Sequence, residues 1–295
     1  MIVNLNNYDA SASLLDAAVK HGVNALDLAN VYGGGNSERA VGKWMEERGN
    51  REDVFILTKG AHPNADRRRV TPYDITADLM DSLARLKTDY IDAYLLHRDD
   101  LSLPVGPIMD ILNEHLEAGR IRMFGGSNWT HERVADANAY ALANNLKPMT
   151  VASPNYGLCE QVEDPWGPGC VTISGKAGKA GRDFYRNHNI PVFAYSSLGR
   201  GMLSGRADRD NYRDILDGAA VKAYAHEINF KKLDRAAELA AQKGATVPQI
   251  AVAYILSQPF DVFPIVGAAN ETEIKDVVSA ADIRLTPGEC ARLDG

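Results

Sequence analysis

Cysteine, basic runs and long apolar stretches are all scarce in this sequence, and each scarcity closes off a class of protein. The three cysteines in 295 residues, Cys159, Cys170 and Cys290, are too few and too unevenly spaced for a disulfide framework or a four-ligand zinc site, so reduced thiols and no metal are expected. No stretch approaches 18 consecutive apolar residues, and the opening Met1-Ile2-Val3-Asn4-Leu5-Asn6-Asn7 lacks the basic start and apolar run of a signal peptide. A soluble, cytoplasmic protein with no membrane partner is therefore expected. The formal net charge is −7, and basic residues are scattered apart from Arg67-Arg68-Arg69. A surface made for polyanions is not indicated, and nucleic acid is excluded as a partner.

What is present is ordinary for a globular chain: 45% hydrophobic and 24% charged residues, enough to bury a core. Short apolar, β-branched runs alternate with amphipathic helical stretches to the end of the chain, the pattern of a parallel sheet. Strands are expected at Met1 to Leu5, Val23 to Leu28, Val54 to Lys59, Ile91 to Leu96, Ile121 to Gly126, Thr150 to Ser153, Pro191 to Tyr195 and Val262 to Val266. Helices are expected at Ser11 to His21, Ser37 to Arg48, Thr71 to Arg85, Gly106 to Glu117, His131 to Asn144, Gly181 to Asn187, Lys231 to Lys243, Val247 to Leu256 and Glu271 to Val278. Thr71-Pro72 and Thr246-Val247-Pro248 carry helix-start signals, and Gly119 and Gly244 follow helix ends.

Eight strands suit a closed (β/α)8 barrel, and no Pro/Gly/Ser-rich linker divides residues 1–295, so a single barrel domain is expected. A doubly wound open sheet would want a glycine-rich turn after its first strand. That turn reads Asn6-Asn7-Tyr8-Asp9, with no glycine. Two connections, 157–180 and 198–230, are long and follow strands, on the side where barrels place their active-site loops.

Polar residues recur at the expected strand ends. Asp27 closes Val-Asn-Ala-Leu, Tyr32 follows on a glycine-rich loop, Lys59 ends Phe-Ile-Leu-Thr and His97 ends Ala-Tyr-Leu-Leu. In a barrel these ends converge, so the four can meet. A phenol must fall by roughly 2 to 3 pH units, about 3 to 4 kcal/mol, to act as an acid near neutrality. An ammonium about 4 Å away supplies roughly 4 kcal/mol at an effective dielectric of about 20. Asp27 would keep Lys59 charged, and His97 could orient a carbonyl oxygen by a hydrogen bond. Singly, each has a plainer role as a turn, surface or structural residue; together they form a device that delivers a proton to an oxygen becoming negative.

At these residues the sequence resembles the aldo-keto reductase family. Asp27-Leu28-Ala29-Asn30-Val31-Tyr32-Gly33 is similar to its Asp-Thr-Ala-x-x-Tyr-Gly element, and Thr58-Lys59 and Leu95-Leu96-His97 to the next two signatures. Gly125-Gly126-Ser127-Asn128-Trp129 resembles Gly-x-Ser-Asn-Phe, and Ala194-Tyr195-Ser196-Ser197-Leu198-Gly199-Arg200-Gly201 resembles Tyr-Ser-Pro-Leu-Gly-x-Gly. The resemblance implies a catalytic tetrad of Asp27, Tyr32, Lys59 and His97, with Tyr32 the general acid. It also implies NADP(H) by family habit, bound without a Rossmann fingerprint. Ser127 and Asn128 would hold the carboxamide, Tyr195 would stack on the nicotinamide, and Ser196, Leu198, Gly199, Arg200 and Gly201 would follow the pyrophosphate.

The chain departs from the family in several places. Ser153 stands where the family has a nicotinamide-contacting glutamine. At the adenosine end, Gly267, Asn270 and Glu273 occupy the segment where NADPH-dependent relatives carry a basic residue. A carboxylate there repels a 2′-phosphate and can accept from a ribose hydroxyl, so NAD(H) is admitted as well. Met1 starts directly at the first expected strand, without the small hairpin that plugs the family's barrel floor, so either that plug is absent or the chain lacks its natural start. The reaction implied is reversible reduction of an aldehyde, ketone or sugar carbonyl, with specificity from the 157–180 loop and from Trp129, Tyr156 and Trp166. The competing expectations are a catalytically weak regulatory subunit, like the potassium-channel β subunits, and a Schiff-base aldolase using Lys59, which the Asp27 partner opposes.

Overall fold

Threonine and proline mark where several helices begin. In the computed structural model, which describes residues 3–295, Thr71, Thr246 and Thr286 each accept a hydrogen bond from the third residue inside the helix they precede. Each helix has proline in its first turn. A hydroxyl satisfies an otherwise orphaned N–H, and proline has none to orphan. Gly119 and Gly244 follow helix ends in the left-handed region, at φ 72° and 62°, which is where glycine is cheapest.

The chain divides into two units, Met1–Ala152 with Ala269–Glu271 and Ser153–Ala268 with Thr272–Gly295. The first carries α1 (Tyr8–Lys20), β1 (Ala25–Asp27), α2 (Asn36–Arg48), β2 (Phe55–Gly60), α3 (Pro72–Leu86), β3 (Ile91–Leu96), α4 (Val105–Glu117), β4 (Ile121–Ser127) and α5 (His131–Ala143). Strand β5 (Val151–Ser153) begins in it. The second carries α6 (Lys179–Asn187), β6 (Val192–Ala194), α7 (Tyr212–Ile215), α8 (Gly218–Tyr224), α9 (Glu227–Lys243), α10 (Val247–Leu256), β7 (Val262–Pro264) and α12 (Pro287–Asp294), and most of α11 (Glu271–Ser279).

In the first unit β1, β2, β3 and β4 pair in parallel, in chain order. The register sets Asp27 opposite Leu57, Lys59 opposite Leu95, and Leu95 opposite Gly125, so consecutive strands end at nearly one level. Strand β3 is buried along its whole length, and Ile75, Leu79, Leu83 and Leu86 of α3 are buried at helical spacing. Each such side chain contributes roughly 1.5–3 kcal/mol by leaving water. In the second unit β6 and β7 are parallel, Val192 opposite Val262 and Ala194 opposite Pro264. No helix among the described residues is long and apolar enough to cross a membrane.

The expected eight strands become seven among the described residues. Met1 and Ile2 of the first expected strand lie outside those residues. Leu5–Asn7 forms a 3-10 turn instead, its start capped by the Asn4 side chain, which accepts from the Asn6 N–H at 2.9 Å. Three asparagines in four positions offer the backbone local partners that compete with a ladder. The Val23 to Leu28, Thr150 to Ser153, Pro191 to Tyr195 and Val262 to Val266 expectations each shorten to three paired residues. The 198–230 connection holds α7 and α8, whose short apolar patterns carry little periodic signal.

Candidate functional site

Alternation along β2 sorts its polar residues. Thr58 points to α2, where its hydroxyl donates to buried Glu38 at 2.7 Å. Lys59, facing the other way, donates from Nζ to Asp27 Oδ1 at 2.6 Å and to the Leu28 carbonyl at 2.8 Å. The loop after β1 keeps pairing with β2, through Leu28 N–H to the Leu57 carbonyl and Asn30 N–H to the Lys59 carbonyl, both at 2.8 Å. Tyr32 then sits ahead of Gly33, Gly34 and Gly35, at φ 58°, 63° and 86°. Three successive left-handed residues require glycine. His97 is held at the end of β3 by its own N–H on the Gly60 carbonyl at 2.8 Å.

These positions bring all four expected residues together. The Lys59 ammonium lies 5.1 Å from the Tyr32 ring centroid, and the Tyr32 and His97 rings meet edge to face at 5.7 Å. Lys59 is almost fully buried and Asp27 mostly so, at 2% and 17% side-chain exposure. Burial pulls the ammonium down, but the Asp27 carboxylate and the Tyr32 phenol outweigh it and leave Lys59 above its ordinary value. Burial raises the Tyr32 phenol; Lys59 opposes this and Asp27 adds to it. The downward pull expected from the amine is therefore present, and burial exceeds it. The phenol keeps its proton at neutral pH, which a proton donor to a developing alkoxide must do. His97 is held well below its ordinary value by burial, with Lys59, His62 and Arg98 adding to the effect, so its ring is neutral.

The His97 Nδ1 is buried without a hydrogen-bond partner. Orphaned N–H groups are rarer than orphaned acceptors, so the proton belongs on Nε2, which makes that atom a donor. Beside it, Asn128 takes the left-handed region at φ 58°, which asparagine tolerates. Its amide donates to the His97 carbonyl at 3.2 Å and to Ser127 Oγ at 3.3 Å. Both Ser127 and Asn128 are buried.

Sequence reasoning missed His62. It lies three residues beyond Lys59, and its ring packs against that of His97 at 4.8 Å and 73°. Ala61 between them is left-handed, at φ 58°, with its N–H on Asp78 Oδ2 at 2.9 Å. A histidine just past the expected end of Val54 to Lys59 was the available signal.

The remaining expected residues lie on a different part of the chain. Ser153 is wholly buried at the end of β5, and Tyr195 follows β6 half-buried, its ring centroid 6.2 Å from that of Trp166. Ser196, Gly199, Arg200 and Gly201 are all left-handed, at φ 56°, 57°, 52° and 104°. Leu198 at φ −101° and ψ 21° precedes Gly199; the Gly199 N–H donates back to the Ser196 carbonyl at 2.8 Å and the Gly201 N–H to the Leu198 carbonyl at 3.1 Å. Arg200 lies 4.9 Å from the Trp166 ring centroid and donates to Asp217 at 2.5 Å, while its Nε is buried without a partner. Asp217 caps α8 through the Ala220 N–H at 2.7 Å. Gly267 and Asn270 are exposed just before α11, and Glu273 is half-buried in its first turn.

Parallel β/α repeats carry a lysine, a carboxylate and an imidazole at or beside adjoining strand ends, with a phenol on the loop between them. Residues 4–295 match the model of the aldo/keto reductase family, and the chain belongs to that family. It is 29% identical over 278 residues to the aldo-keto reductase YhdN of Bacillus subtilis, covering 90% of this chain and 76% of that protein. It is also 27% identical over 293 residues to a probable voltage-gated potassium channel subunit beta of Arabidopsis thaliana, covering 93% and 83%. Among solved structures, an aldo/keto reductase from Klebsiella pneumoniae in complex with NADP and acetate matches with a TM-score of 0.73 at 24% identity. That match covers 100% of this chain and 87% of the other.

Proposed function

We propose that this chain reduces an aldehyde, ketone or sugar carbonyl to the alcohol, reversibly, with a nicotinamide cofactor. The observation that carries the reading is the buried Lys59 ammonium, fixed on Asp27 and set against the Tyr32 phenol. In this reading Tyr32 gives its proton to the carbonyl oxygen as that oxygen becomes negative, and His97 Nε2 donates to the same oxygen and orients it. Lys59 stabilises the phenolate left behind, and Asp27 keeps Lys59 charged although it is buried.

The bound cofactor supplies a hydride. Residues 196–201 suit its pyrophosphate: left-handed backbone with glycine at 199 and 201 lets the chain approach closely, and the buried Arg200 Nε is a donor without an acceptor. Ser127, Asn128, Ser153 and Tyr195 would hold the nicotinamide, and Gly267, Asn270 and Glu273 the adenosine end. The family model spans both units of the chain, which supports reading residues 1–295 as one barrel domain.

For the cofactor we favour relaxed use of NADPH and NADH, because Glu273 disfavours a 2′-phosphate. A panel of carbonyls assayed with each reduced cofactor tests both readings: turnover supports the reductase, and a preference for NADPH beyond about a hundredfold defeats relaxed use. The likeness to a potassium channel β subunit sustains a second reading, a cofactor-binding subunit with little turnover. Cofactor binding without turnover on that panel would favour it.

A further inference from the structure

We propose that His62 selects carbonyl substrates that carry a hydroxyl on the carbon next to the carbonyl, by accepting that hydroxyl's hydrogen bond at Nε2. This rests on the reductase reading of the Tyr32 and His97 site. Two neighbouring groups there serve a carbonyl oxygen as donors, the Tyr32 hydroxyl and His97 Nε2. A site made of these alone takes any carbonyl. His62 adds a group of the opposite kind.

Its chemistry follows from its contacts. Nδ1 lies 2.8 Å from the Pro63 carbonyl, which can only accept, so Nδ1 carries the proton. Burial and neighbouring Arg98 and Arg69 hold the ring below its ordinary value against the pull of Pro63 and Asp78, so it is neutral near pH 7 and Nε2 presents a bare lone pair. The ring packs directly on His97 at 4.8 Å, and unlike His97 it keeps appreciable exposure. Its place is fixed by a backbone turn that costs energy to hold: Ala61 at φ 58°, tied to Asp78, which Arg69 in turn binds at 2.6 Å. An acceptor one ring away from two donors matches a substrate whose carbonyl oxygen sits beside a hydroxyl: α-hydroxy aldehydes, α-hydroxy ketones and open-chain sugars.

The test compares kcat/KM for matched pairs, hydroxyacetone with acetone and glycolaldehyde with acetaldehyde, in the unmodified chain and in His62→Phe. Phenylalanine keeps a ring against His97 and removes the acceptor. The intrinsic reactivity of each pair cancels when its ratio is compared between the two proteins. We expect the hydroxy-to-plain ratio to fall about tenfold, carried by the hydroxy substrate alone, the size of one hydrogen bond. His62→Gln, which keeps an acceptor, should restore at least a third of it. A ratio unchanged in His62→Phe overturns the assignment, as does an equal fall for both members of a pair, which would make His62 only a support for His97. Absence of carbonyl turnover in the unmodified chain overturns the reductase reading, and the His62 assignment with it.

Discussion

The Lys59 end of the first unit and the 195–201 segment of the second are both rich in polar groups, and they are held in opposite ways. Lys59 lies in one six-residue strand and His97 directly follows another, in continuous parallel register; the Lys59 charge is paired within the same unit, and His97 keeps one ring nitrogen without a partner. The 195–201 segment follows a three-residue strand. It keeps its shape through left-handed backbone, a ring contact to a half-exposed tryptophan and one arginine with an unsatisfied nitrogen. In the first arrangement the buried charge is paired without a ligand, as preorganised electrostatics must be. The second leaves the Arg200 Nε without an acceptor, as a binding segment can.

Removing the proposed proton donor tests the charge-paired half most severely. Tyr32→Phe should cut the chemical step by about 10² to 10⁴ while fluorescence titration finds cofactor affinity nearly unchanged. Equal turnover would end the acid assignment. Next in size, Lys59→Met strands the Asp27 carboxylate in a largely buried place, and thermal or denaturant unfolding should register a loss of roughly 3 kcal/mol along with activity.

Acid should loosen the first unit as well. Arg67 and Thr71 hold buried Asp74 at about 2, below its ordinary 3.8, against the opposing effect of burial. A depressed folded value means the stabilisation is complete above the ordinary value and vanishes as pH falls through about 2. The loss between pH 5 and 2 should be about 2 kcal/mol, and Asp74→Asn should remove that slope. The smallest effect belongs to the second unit: Glu273→Lys should move the kcat/KM ratio of NADPH to NADH upward by about tenfold, with the chemical step untouched. A change in kcat instead would break the contrast between the two halves.

Long, strongly periodic elements were legible from the residues alone. Ile91 to Leu96 and Val247 to Leu256 coincide with observed elements to the residue, because an unbroken apolar run and a Thr-x-Pro start leave few alternatives. Within the expected Met1 to Leu5 strand, the described residues form no strand, because the asparagine side chains compete for the backbone. His62 escaped notice because it lies beyond the strand, where only a turn at Ala61 brings it back to His97.

The order of residues by itself determined that Asp27, Lys59 and His97 fall within one residue of strand ends, since period and punctuation are local properties of a chain. The tertiary structure decided the sign of the Tyr32 shift, the tautomers of His62 and His97, and the contact between those two rings. Burial and long-range neighbours set all of these, and neither is written in any short stretch of sequence.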